Sequence, residues 1–291
     1  MTILFAGDVV GEPGRRAIAQ LIPLERERHH ADFCVVNGEN AAGGAGITPK
    51  IFADLRAAGV DVVTSGDHVW DNKEILPLIG VETRLLRPAN FPARAAGVGS
   101  VVIESKNGHK LAVLNLMGRA FMKDLDCPFQ TAEREVEKLR RETPIILVDM
   151  HAETTSEKIA LGRFLDGQVS AVIGTHTHVQ TADEQIFPKG TAFLCDAGMT
   201  GPHESILGRE IEPIVRRFLT QMPQKFDVAK GGIRLNGAVI QVDAISGKAL
   251  SIQRLNVPFD EEEEKKRKIS LTSLLERRTP SNEKSGGKKE G

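Results

Sequence analysis

Five separate stretches of the chain carry residues that hold metal ions or move protons: Asp8; Glu39 with Asn40; Asp67 with His68; His151; and His176 with His178. Carboxylate and amide oxygens with imidazole nitrogens, and no cysteine, make a mixed N/O donor set. Such a set suits iron or manganese, and also zinc or cobalt, better than the all-oxygen sites of calcium or magnesium. There are more donors than one tetrahedral ion needs, so a second ion follows. Two metal ions ~3.5–4 Å apart share a water, bring its pKa toward neutrality and clamp phosphate oxygens during in-line displacement. Taken singly, each stretch has a plainer reading. An aspartate after a strand caps a helix or forms a turn, a lone histidine is often a satisfied core residue, and many His-x-His pairs are surface pairs, although alternate residues of an extended segment do point the same way.

Their common position in the chain separates the two readings, because each stretch ends a run rich in β-branched residues. Residues 2–7 run into Asp8, 32–37 through Gly38 into Glu39, 60–65 through Gly66 into Asp67, 145–150 into His151, and 171–174 into the segment holding His176 and His178. Amphipathic segments 13–30, 49–58, 131–143 and 155–165 alternate with them. That alternation predicts βαβ units and a largely parallel sheet, whose strand carboxyl ends lie along one edge where ligands bind. Thr48 before Pro49 marks a helix start, and Thr154 with Glu157 fits a capping box. Three pairs read as antiparallel hairpins: 99–104 with 111–117, 182–187 with 191–196, and 236–243 with 249–256. The expectation is a mixed set of strands in two packed sheets with helices outside.

The bulk numbers fit one large α/β domain, with 291 residues of which 41% are hydrophobic. Lys and Arg total 38 against 39 Asp and Glu, a net charge of −1, so no global field holds the protein on nucleic acid or an anionic membrane. Cys34, Cys127 and Cys195 form no CxxC pair, and the first and last sit in apolar runs as small buried hydrophobes. No basic n-region precedes the short apolar start and no apolar stretch reaches the ~18 residues of a membrane span, which points to the cytoplasm. Residues 1–258 are expected to form the folded domain, and 259–291 a charged, disordered tail in which Leu271, Leu274 and Leu275 support one short helix.

The segments GDVVG (7–11), NGEN (37–40) and GDHVWD (66–71), with His151 and GTHTHVQT (174–181), resemble the five blocks of the calcineurin-like metallophosphoesterase superfamily. Their spelling most resembles its bacterial YmdB-like phosphodiesterase family. The resemblance implies a four-layer α/β sandwich, two mixed β-sheets flanked by helices, with a di-metal centre that hydrolyses phosphodiesters, 2′,3′-cyclic nucleotides among them. It further implies that Glu39 bridges both ions, that Asp8, Asn40 and His178 hold one and Asp67, His151 and His176 the other. His68 then stands beside the substrate as proton donor to a reaction begun by a metal-bridging hydroxide. Spacing alone leaves His151 and His176 as alternatives for that last role.

Two positions depart from the superfamily pattern. Val10 stands where a histidine is usual, a loss shared by the YmdB-like branch and one that Asn40 makes good. Asp67 stands where asparagine is usual and adds a negative charge at its metal. For the substrate, Gly43 and Gly44 offer backbone donors in a glycine-rich loop that lacks the Lys-Ser/Thr of a P-loop. His203 reads equally as a substrate contact or an exposed loop histidine. With no tyrosine and one tryptophan, Trp70, the chain has no stacking platform for long nucleic acid, so a small phosphodiester or cyclic nucleotide fits better. The same fold and metals also serve phosphomonoesterases and protein phosphatases, and a slow nucleotide sensor is a further alternative. The resemblance makes a homo-oligomer plausible without locating an interface.

Overall fold

Successive residues of a strand face opposite sides, and in this chain both sides of the central strands are apolar, so they must be covered twice. The structure, a computed structural model, describes residues 1–262. In chain order its elements are β1 (Thr2–Ala6), β2 (Asp8–Val9), α1 (Gly11–Arg28), β3 (Phe33–Asn37), α2 (Pro49–Ala57), β4 (Val62–Thr64), α3 (Leu76–Ile79), β5 (Ser100–Glu104), β6 (Lys110–Met117), α4 (Pro128–Leu139), β7 (Ile146–His151), α5 (Thr155–Phe164), β8 (Ala171–Thr175), β9 (Gln185–Ile186), β10 (Ala192–Leu194), β11 (Met199–Pro202), α6 (Ile211–Thr220), β12 (Ile233–Val242) and β13 (Ala249–Pro258).

In the first sheet β1, β3 and β4 run parallel and β12 lies antiparallel beside β1. β12 carries β13 along one edge; along the other it pairs with β1 and, at Ile233 and Arg234, with β11, so β11 and β2 continue the sheet past the end of β1. The second sheet has the order β5-β6-β7-β8-β10-β9, with a parallel centre and antiparallel edge strands.

Three apolar layers follow from this arrangement. Leu4, Cys34, Val36 and Val63 face out from the first sheet onto Ile18 and Leu21 of α1 and Phe52 and Leu55 of α2. Ile3, Phe5, Val35 and Val62 face in, against Val113, Leu147 and Ile173 of the second sheet. Leu114, Val148 and Val172 face out from the second sheet onto Val136 of α4 and Leu161 of α5. The molecule is thus a four-layer sandwich with two mixed sheets. Met1–Phe259 forms one compact unit. Apart from its first residues, the expected tail, including Leu271, Leu274 and Leu275, lies outside the described residues.

Local expectations fared unevenly. Thr48 caps α2, its hydroxyl accepting from the Ile51 N–H at 3.2 Å. The capping box at α5 does not form. Thr154 makes no side-chain cap hydrogen bond, and the Glu157 carboxylate instead accepts from the N–H groups of Arg119 and Ala120 in a distant loop. The hairpin expected over 182–187 and 191–196 shrinks to Gln185 and Ile186 paired with Phe193 and Ala192. β2, β11 and α3, of two to four residues, are too short to show a pattern and were not foreseen; α6 was missed although its apolar and charged residues fall on separate faces.

Candidate metal centre

The alternation that fills the middle layer also builds the site. On the same inward register as Val35, Val62, Leu147 and Ile173 come Asn37, Thr64, Asp149 with His151, and Thr175, at the carboxyl ends of four neighbouring strands. The inter-sheet layer therefore turns polar at one end. Asp149, fully buried, accepts hydrogen bonds from Asn37 Nδ2 at 3.0 Å, from the Thr64 hydroxyl and, at 2.7 Å, from the Thr175 hydroxyl. It ties the two sheets together, and burial pushes its carboxyl above the usual range while those hydrogen bonds hold it down. Thr175 spends its hydrogen on Asp149, so its oxygen accepts from His151 Nδ1 at 2.9 Å. The Nε2 lone pair of His151 then faces Glu39 Oε2 at 3.1 Å and Asp67 Oδ1 at 3.4 Å.

Two donor groups form there. Atoms of Glu39, Asp67, His151 and His176 lie within 4.8 Å of one another, as do atoms of Asp8, Glu39 and His178, and Glu39 belongs to both. Asn40 joins the second group, with Oδ1 3.2 Å from His178 Nε2. These are the seven residues the resemblance nominates as ligands, divided in the same way. His68 lies outside both groups; its Nδ1 is 2.7 Å from Asp71 Oδ2, and its main-chain N–H points at Glu39 Oε2 over 3.4 Å.

His176 and His178 reach their places by a different route from the one their spacing suggests. The segment is not extended: His176 has φ 97° and His178 φ 65°, a region rarely populated by residues with a Cβ. The turn sends His176 to one group and His178 to the other. Asp196 holds it by accepting from the Thr177 N–H and hydroxyl, and Asp196 is itself paired with buried Lys158 at 2.7 Å.

The arrangement suits divalent cations. The Leu207 carbonyl can only accept, so His178 Nδ1 carries the hydrogen of their 3.2 Å contact; in the neutral ring Nε2 and Asn40 Oδ1 are then two acceptors face to face. Asp8 Oδ1 is buried without a hydrogen-bond partner. A Cβ at Gly66 would stand 2.2 Å from both Glu39 Oε2 and His151 Nε2, so only glycine lets the backbone run this close to the donors. Burial pushes Asp8 well above the usual carboxylate range, opposed by His151 and reinforced by Glu39. Burial also opposes the ionisation of Asp67, yet its contact with His151 and the charges of His68 and His176 hold it well below that range. Burial disfavours a charged His151, but Glu39 and Asp67 lift it well above the ordinary histidine value. The carboxylates demand positive charge between them, and a divalent ion supplies it while leaving His151 neutral as a ligand.

A cavity of about 460 Å³ opens over the donors, lined by Glu39, Asn40, Gly44, His68, His176 and His178 among others. Gly44 is on its wall; Gly43 and His203 are not. The Gly43 and Gly44 carbonyls accept from the Arg209 guanidinium, and His203 Nε2 meets the Met199 carbonyl at 3.2 Å. Sequence reasoning overlooked Asp149, Thr175, Arg209 and Glu153, whose carboxylate is 3.2 Å from His176 Nε2. Only Asp149 left a signal, as an ionisable residue inside an apolar strand.

Stacked mixed sheets, outer helices and donors at the strand ends define an α/β sandwich of the metallophosphoesterase type. The YmdB-like protein family matches residues 4–255, and the chain belongs to that family. It is 48% identical over 260 residues, 89% of this chain and 98% of the relative, to a Bacillus subtilis protein named 2′,3′-cyclic-nucleotide 2′-phosphodiesterase. A Mycoplasma pneumoniae protein named putative phosphatase/phosphodiesterase is 36% identical, over 89% of this chain and 93% of the relative. Among solved structures, a hypothetical protein from Thermus thermophilus superposes with TM-score 0.84 at 42% identity, covering 89% of this chain and 100% of that one. A Mycoplasma pneumoniae protein described as a novel phosphatase superposes with TM-score 0.83 at 34% identity, covering 93% and 98%.

Proposed function

We propose that the chain is a di-metal phosphodiesterase acting on 2′,3′-cyclic nucleotides. The observation that carries this reading is the pair of donor groups sharing Glu39, of which Glu39, Asn40, His176 and His178 reach the lining of one cavity, and the name of the Bacillus subtilis relative supports the substrate class. Asp8, Asn40 and His178 would hold one ion, Asp67, His151 and His176 the other, and Glu39 both. When bound, two such ions supply Lewis acidity toward phosphate oxygens and an activated water at neutral pH. The chain's own part is to place charge and protons. Asp71 fixes the His68 ring through Nδ1, leaving Nε2 to hand a proton to the ribose oxygen as its bond to phosphorus breaks. Glu153 holds the outer edge of the His176 ring in the same fashion.

The same reading takes iron or manganese as the resident metals and the cytoplasm as the compartment; no helix among the described residues is long and apolar enough to cross a membrane. Self-association belongs to it too, with Ile211, Val215, Leu219 and Met222, exposed on and just after α6, as one apolar surface for it.

The test is metal analysis by inductively coupled plasma mass spectrometry on protein purified without added metal or chelator, with 2′,3′-cyclic AMP hydrolysis measured on the same sample. Two ions per chain and turnover are expected, with turnover lost in Glu39→Gln. His68→Ala should keep both ions and lose roughly 10²–10⁴ in rate, the usual contribution of a positioned acid. Loss of metal from His68→Ala would make it a ligand instead. Two ions without turnover on any diester would replace catalysis by nucleotide sensing.

A further inference from the structure

The cavity above the donors has two chemically different walls. One is the polar floor of metal donors. The rest of the lining includes the apolar residues Val10, Ile206, Leu207, Ile214 and Phe218, together with Arg209. Ile214 and Phe218 lie four residues apart, one above the other on the same face of α6. That helix buries none of its residues, and Phe218 is 75% exposed. A helix with strongly segregated apolar and charged faces that buries neither has its apolar face still to cover. The part of that face formed by Ile214 and Phe218 lines the metal cavity, and on its other side it borders a small hollow shared with Phe226.

The rim carrying this wall is built, not loose. Arg209 donates to the carbonyls of Gly43 at 3.1 Å, Gly44 at 2.7 Å and Phe226 at 3.2 Å, binding the glycine loop after β3 to the segments on either side of α6. Gly44 has φ +90°, and a Cβ there would stand 2.4 Å from the guanidinium, so the loop must be glycine to lie beneath it. The Leu207 carbonyl takes the hydrogen of His178 Nδ1, which couples the rim directly to a metal donor.

We propose that Ile214 and Phe218, with Leu207, form the nucleobase subsite: the base stacks on the Phe218 ring while the cyclic phosphate lies over the donors. This rests on the phosphodiesterase reading and says how the substrate's other half is held. The occupant follows from continuity of the wall with the donor floor inside one cavity, whose volume is in the range of small-ligand sites. The apolar wall presents no side-chain hydrogen-bond donor or acceptor to read a base edge, and three of the five Arg209 N–H groups are engaged with carbonyls. Recognition is then by stacking, tolerant of base identity and stronger for purines than for pyrimidines.

The experiment compares two five-membered cyclic phosphodiesters, 2′,3′-cyclic AMP and the base-free glycerol 1,2-cyclic phosphate, on the metal-loaded full chain. In Phe218→Ala the preference for the nucleotide, read as the ratio of kcat/KM values, is expected to fall about tenfold, within the range seen when a base–aromatic stack is lost. Phe218→Trp restores it, and light scattering finds the same mass for all three proteins. An unchanged ratio in Phe218→Ala, or a loss of activity that tracks a change in mass, overturns the subsite. If the wild type hydrolyses neither diester, the phosphodiesterase reading has failed, and calorimetric binding of 2′,3′-cyclic AMP decides the subsite: about tenfold weaker binding to Phe218→Ala supports it, and equal binding overturns it.

Discussion

Asp149 stands in the middle of a strand otherwise made of Ile, Leu, Val, Met and His, where an ionisable side chain is costly unless it is hydrogen-bonded. Its use is to orient. Thr175 gives its hydrogen to Asp149 and so must take one from His151 Nδ1, which leaves His151 Nε2 bare toward the metal donors. In Asp149→Asn an amide must meet three donors with one oxygen, and an N–H turned toward Thr175 reverses the direction of the line. Metal affinity, measured by competition with a chelating dye, should fall roughly 10–100-fold, as for other residues that orient a metal-binding histidine. Undiminished affinity would show that His151 is oriented by packing alone. At this scale the sequence displayed Asp8, Glu39, Asn40, Asp67 and the three histidines proposed as ligands because each lies within a few residues of the end of a strand-like run. It hid Asp149 and Thr175 because their function depends on which inward positions of four strands become neighbours.

Strands and helices were legible where a bounded apolar run, or the longer mixed segment between two such runs, coincided with a whole element, as in β1, β3, β7, α2 and α5. They were illegible where partners come from far along the chain. Glu157 sits where a capping box would use it and is drawn to the N–H groups of Arg119 and Ala120. The loop after β8 is the sharper case: its two left-handed histidines are held by Asp196, which follows β10, and Asp196 is neutralised by Lys158 of α5. Both partners are about 1% exposed, so Lys158→Met leaves a carboxylate buried without its cation. Loss of one partner from a buried pair typically costs ~3–5 kcal/mol. Urea denaturation should read a loss of that size, and the variant should bind metal more weakly because Thr177 no longer has a fixed anchor. Normal stability would mean that the Thr177 hydrogen bonds and the one from the Gly198 N–H, 2.8 Å from Asp196 Oδ1, alone satisfy Asp196.

Seen whole, the molecule brings residues from Asp8 to His178 to one end of the layer between its sheets, and the last piece of that layer arrives late. β13 covers the full length of β12, contributing Ala249 to the inter-sheet layer and Leu255 to the layer beneath α1, and the Phe259 N–H closes the hairpin on the Ile233 carbonyl at 2.9 Å. Among the described residues, every donor of the site and every strand of both sheets is in place by that point. A chain ending at Asp260 is expected to melt within about 2 °C of the full chain and to bind the same number of metal ions. A chain ending at Val242 should not fold, because it bares the backbone edge of β12 and removes apolar side chains from two layers at once. Calorimetry and metal analysis on the two truncations separate the possibilities. If the longer one lost its metals, residues beyond Asp260 would take part in the site, and the division between a self-sufficient sandwich and a dispensable tail would fall.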